Sequence, residues 1–155
     1  MKKINLIFIA LLFTSVSFSQ ISYLQYRHVP QNDEAKFVER ETKHWSKVAK
    51  AAIDKGQLSG WTLWRKIGVT TVDAPNYVFV NSYNNLNQLD DNNAWGDNLS
   101  ALGAVKPGDV ETNSFTTLTF DYYIQLEDFV EGDYKYCIVN YAKPTMQVIQ
   151  GEDAG

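Results

Sequence analysis

The seven residues Tyr77-Val78-Phe79-Val80-Asn81-Ser82-Tyr83 constrain the fold more than any other stretch of the chain. Their β-branched and aromatic content predicts a strand. Successive strand side chains point to opposite faces, so Tyr77, Phe79 and Tyr83 share one side and Val78 and Val80 the other. Both sides are apolar. A sheet built on such a strand needs a cover on each face, or it exposes an apolar patch of the kind that marks an interaction site.

The neighbouring segments supply the rest of that sheet and one cover. Residues 21–29 predict a first strand, closed by Pro30. Asn32 or Asp33 is placed to cap a helix over 34–55, where no Gly or Pro intervenes. Phe37, Glu41, Trp45, Val48, Ala52 and Ile53 follow helical spacing, and Gly56 supplies a left-handed stop. Residues 61–67 predict a second strand, and 68–76 the loop before the third. Between 84 and 102, Leu86, Leu89, Trp95, Leu99 and Leu102 predict a short, broken helix. Lys106-Pro107-Gly108 reads as a turn, and 112–120 is ambiguous between helix and strand. Residues 122–129 predict a fourth strand and 134–141 a fifth. The first six elements give an α+β fold, a ferredoxin-like βαββαβ unit with an antiparallel sheet. One helical layer covers one face only. The expected solution is a second sheet, with self-association through the face bearing Tyr77, Phe79 and Tyr83.

Lys2 and Lys3 followed by the apolar run Leu6 to Phe13 match a secretory leader, and the run is shorter than the roughly 20 apolar residues a membrane span needs. Ser17 and Ser19 sit at the small-residue positions of a cut before Gln20. The reading is a signal peptide at 1–19, one unit at 20–132, and an extra strand and tail at 133–155. The destination is the periplasm or the exterior, with no stable membrane insertion after cleavage. The chain carries a net charge of −4, and losing the two leader lysines makes the remainder more acidic. An acidic chain without a long basic run is a poor partner for nucleic acid. Cys137 is the single cysteine and lies in an apolar run, which reads as a buried, inert thiol.

Residues 37–68, above all Glu39-Arg-Glu-Thr-Lys-His-Trp45 and Gly56-Gln-Leu-Ser-Gly-Trp61-Thr-Leu-Trp64, resemble the dimeric α/β-barrel superfamily. Within it the chain is most similar to NIPSNAP-like and secreted bacterial members. The resemblance implies a barrel of two βαββαβ units, from a homodimer or from tandem halves. The superfamily includes quinol-type monooxygenases, haem-degrading enzymes and proteins without known chemistry, and no catalytic motif of those enzymes maps onto this chain residue by residue. Residues 134–144 echo 20–30 in residue type and closing proline. This favours a second unit that begins near the end of the sequence.

His28 and His44 are the two histidines, and either would suit a metal, haem iron or general-base role. No second ligand stands at metal spacing, so no metal or cofactor is assigned. Glu41 falls on the apolar helix face, as a base of raised pKa or the partner of Arg27 or Arg65. Tyr26, Trp45, Trp61, Trp64 and Tyr83 are pocket candidates with His28, Glu41 and His44. The expected function is binding of a small apolar ligand, or assembly around a barrel cavity. A cofactor-independent monooxygenase-like enzyme and a haem-binding enzyme are the alternatives. The leader reading predicts that mass spectrometry of protein from its native envelope finds an N-terminus at Gln20; an intact Met1 there would refute it.

Overall fold

The computed structural model describes residues 20–68, 71–90, 93–130, 132–133 and 138–139. The leader, Cys137, and the predicted fifth strand apart from Ile138 and Val139 lie outside the described residues, and those two belong to no strand. Strand β1 (Ile21–His28) leads through a 3-10 turn (Gln31–Asp33) into α1 (Glu34–Arg40), a π-helical turn (Glu41–Trp45) and α2 (Ser46–Asp54). Strands β2 (Gly60–Arg65) and β3 (Tyr77–Tyr83) follow. Short helical pieces come next: α3 (Leu86–Asp90), a 3-10 run (Gly96–Leu102), α4 (Pro107–Val110) and a last 3-10 turn (Asn113–Phe115). Strand β4 (Thr117–Gln125) closes the sheet.

The sheet order is β2-β3-β1-β4, with every neighbouring pair antiparallel. That order and the sequence of elements define a ferredoxin-like α+β fold. Strand β4 starts five residues before the predicted fourth strand, because Thr117 and Leu118 pair with His28 and Arg27. A bulge between Tyr26 and Arg27 lets the ladder continue through Phe120. Lys106-Pro107-Gly108 is no free turn: Pro107 opens α4, where its missing N–H costs no hydrogen bond.

Helices α1 and α2 run on without a break, because the residues capping the π turn keep helical backbone angles. Phe37, Glu41 and Trp45 are spaced by four, which in a pure α-helix would rotate each about 40° past the last. One wider turn absorbs that drift and holds all three toward the sheet. Asp33 makes no side-chain cap and instead lies 3.5 Å from the Lys36 ammonium. The other end is as expected. Gly56 takes φ +73°, its N–H donates to Ile53 O, and Gln57 N–H donates to Ala52 O, the paired bonds of a Schellman stop.

The helix packs on the face bearing Tyr77, Phe79 and Tyr83. Phe37 is fully buried, with ring centroids 4.8 Å from Tyr77 and 5.9 Å from Phe79. Ala52 and Leu58 pack on Tyr83. This corrects the expectation that those three aromatics form a self-association surface: the helix consumes them. The opposite face gathers Leu24, Tyr26, Val78, Trp64, Val80 and Tyr122, every one from a strand. No helix among the described residues is long and apolar enough to cross a membrane. Phe37→Ala is expected to cost about 3–5 kcal/mol in denaturant unfolding, while Ile53→Ala, at a position 36% exposed, costs under about 1 kcal/mol.

Candidate functional site

At the middle of the helix–sheet interface the packing opens into a cavity of about 270 Å³. The π turn contributes Glu41 and Trp45. From the sheet come Gln25 and Arg27 of β1, Trp61 of β2, and Phe79 and Asn81 of β3. Trp95 and the segment Glu111, Thr112 and Asn113 close the remaining side. The strand residues share one face because Gln25 pairs with Phe79, and Trp61 and Tyr23 both pair with Asn81.

Four of the lining side chains are aromatic: Trp45, Trp61, Phe79 and Trp95. The Trp45 indole N–H donates to Val110 O at 2.8 Å, and its ring meets Trp95 edge-on at 6.3 Å. Trp61 tilts against Phe79 at 6.2 Å, and the Arg27 guanidinium lies 5.8 Å from the Phe79 centroid.

Set into this wall are polar groups. Glu41 is 5% exposed, and its Oε1 accepts a 2.7 Å hydrogen bond from the Thr112 hydroxyl, itself buried. Burial pushes the Glu41 carboxyl up to about 7, against the opposing pull of the Thr112 hydrogen bond and the Arg27 charge. Arg27 makes its own bonds elsewhere: Nη1 donates to Asn113 Oδ1 at 2.7 Å and Thr116 Oγ1 at 3.1 Å, and Nη2 to Gln25 Oε1 at 3.4 Å. Burial lowers the Arg27 pKa, and Glu41 partly restores it. Among the described residues four buried side-chain atoms have no hydrogen-bond partner within the protein, Arg27 Nε, Ser59 Oγ, Asn81 Oδ1 and Asn98 Oδ1; the Arg27 and Asn81 atoms concern this site. Orphaned polar atoms cost free energy, and both belong to residues that line the same cavity.

Of the residues singled out by sequence, Glu41, Trp45 and Trp61 come together here. Tyr26 and Trp64 lie on the far face of the sheet. Tyr83 is on the helix side but packs with Ala52, Leu58 and Ala94. His28 lies at the end of β1, its Nδ1 3.1 Å from Ala74 O. It borders a separate cleft with Glu34 and Arg65. His44 is half-buried on the π turn and does not line the cavity. Arg65 is not the partner of Glu41; Arg27 is the cation nearby. Arg27 as a lining residue, Asn81, Thr112 and Trp95 were missed. Asn81 carries a legible signal, since it interrupts the apolar alternation Tyr77, Phe79, Tyr83. Thr112 and Trp95 stand in stretches without periodicity.

No family model matches the chain, and no curated protein does. Among solved structures, Rv0793 from Mycobacterium tuberculosis is similar at 14% identity, covering 74% of this chain and 100% of that one, with a TM-score of 0.30.

The elevated carboxyl pKa has a definite sign for stability. A carboxyl that holds its proton more tightly when folded favours folding below its folded pKa, and stability falls as pH rises from its ordinary value toward about 7. The full penalty, on the order of 3 kcal/mol, applies above that window. Unfolding free energies from denaturant titration at about pH 5 and about pH 8 should differ by about this amount more in the wild type than in Glu41→Gln, which keeps an acceptor for Thr112 without the charge. Equal pH dependence in both proteins would mean that Glu41 ionises normally.

Proposed function

We propose that this protein is an exported binder of a small, planar, largely apolar molecule, held in the cavity between helix and sheet, with a second βαββαβ unit completing a barrel on the far face. The observation that carries the reading is the coincidence, in one cavity, of four aromatic side chains with two lining residues, Arg27 and Asn81, that each hold a buried polar atom without a partner in the protein. An apolar wall with a few placed polar groups is the usual make-up of a small-molecule site. The volume, about 270 Å³, is just below the roughly 300 Å³ where such sites begin, which favours a ligand of one or two fused rings.

The barrel part rests on the far face. Its cluster is built from strand residues alone, and Phe120 and Ile124 of the edge strand β4 are 44% and 46% exposed. A long edge strand with apolar side chains invites pairing with another unit. The occupant that suits it is a second copy of the same sheet; the NIPSNAP-like resemblance implies two such units, from a homodimer or from tandem halves.

Titration of the mature chain with 2-naphthol, followed by tryptophan fluorescence, should give saturable quenching. Trp61→Ala and Asn81→Leu should each weaken it by about tenfold or more. Quenching that does not saturate, or that both variants leave intact, would sink the ligand site. Sedimentation at low micromolar concentration should give a dimer for the wild type and a monomer for Phe120→Asp; a wild-type monomer would sink the barrel.

A further inference from the structure

Glu41 is the group that simple ligand binding leaves unexplained. A buried carboxyl is normally kept by an ion pair. The described ion pairs are Lys36–Asp33, Lys43–Glu39 and Lys50–Asp54, each between residues three or four apart in sequence, and Glu41 belongs to none of them. Arg27 spends its Nη atoms on Asn113, Thr116 and Gln25 instead. The protein therefore holds a carboxyl in an aromatic cavity with one hydrogen bond, on Oε1 from Thr112. Arg27 Nε and Asn81 Oδ1, on two residues that line the same cavity, have no partner within the protein.

We propose that this cavity is a proton-transfer site for a planar carbonyl compound that also carries a hydroxyl, with Glu41 as the base, Arg27 as the donor to the carbonyl oxygen, and Asn81 as the acceptor for the hydroxyl. The inference rests on the ligand-binding reading of the cavity and deepens it. The chemistry closes on itself. The Glu41 carboxylate takes a proton from the carbon next to the carbonyl. The C–H electron pair becomes the new C=C bond, and the C=O π pair moves onto oxygen, where the Arg27 N–H meets it. Return of the proton to the same carbon gives the starting compound with its hydrogen exchanged; where a second C=C is conjugated with the enolate, return to the far end of that bond gives an isomer. No oxidant, reductant or second substrate enters.

In this assignment the Arg27 N–H and Asn81 Oδ1 orient the substrate, and the Arg27 interaction strengthens as charge develops on the carbonyl oxygen. The charged groups around Glu41 are few. Strand β1 brings Arg27, and the segment after α4 brings Glu111, whose carboxylate is held below its ordinary range by Ser114. Strands β2 and β3 bring only Trp61, Phe79 and Asn81. A base working near neutral pH suits this reaction, since it is both deprotonated and basic enough.

The test is exchange of the ring α-hydrogens of 6-hydroxy-2-tetralone in D₂O, followed by proton NMR with the 20–155 chain. The wild type should accelerate exchange by about a hundredfold or more over Glu41→Gln, in the range usual for a positioned base. The rate should rise with pH to a plateau with its midpoint at about 7. Thr112→Val removes a hydrogen bond that lowers the Glu41 pKa, so it should move that midpoint to higher pH while retaining exchange, a shift that a merely structural Thr112 would not cause. No acceleration by the wild type, or equal rates in wild type and Glu41→Gln, overturns the proposal. Fluorescence quenching by the same compound separates the two readings: saturable quenching without exchange overturns proton transfer and leaves the ligand site standing, whereas neither signal removes both.

Discussion

Phe37 sits wholly inside the molecule, wedged against Tyr77 and Phe79, and this contact sets the position of the long helix on the sheet. Once that end is anchored and Ala52 meets Tyr83 at the other, the stretch between has no freedom to choose its distance from the strands. It has to span them at a separation set by large aromatics. The residues facing each other there are Glu41 and Trp45 above, and Gln25, Arg27 and Asn81 below. They do not interlock as apolar side chains would, because the polar ones keep partners at the rim or keep none. The opening is thus a product of anchored ends and an unmatched middle.

This explains how much could be read beforehand. The helix, its glycine stop and the βαββαβ order were all written in periodicity and turn chemistry, which are local. The alternation in Tyr77 to Tyr83 also announced two apolar faces correctly. It could not say which of them the helix would take, because that choice is made by tertiary contacts such as those of Phe37 with Tyr77 and Phe79. The start of β4 was hidden for a related reason. Thr117 and Leu118 become strand only because His28 and Arg27 lie beside them in space.

The site itself was half legible. Glu41, Trp45 and Trp61 stood out as a carboxylate and aromatics on faces that should be buried. Arg27 and Asn81 stood at inward positions of their strands and could have been found by asking which polar residues break an inward-facing row. Thr112 and Trp95 could not, since short irregular pieces carry them and only the folded chain brings those pieces over the helix. Tyr26 and Trp64 mislead for the opposite reason. They are aromatic and half or fully buried, but the pleat turns them to the far side of the sheet.

The wider turn at Glu41–Trp45 links sequence length to chemistry in a way that residue identity does not. It holds one residue more than an α-helical turn needs. Removing any one residue from it would let the helix rewind as a plain α-helix with both flanks still in phase, while the side chains of the turn itself would be redistributed around the axis. Phe37 and Ala52 would still hold the two ends against the sheet, but Glu41 and Trp45 could no longer share an opening. Homologues that lack this extra residue would keep the fold while carrying a different cavity, so the length of this helix sorts relatives by binding site more reliably than their overall similarity does.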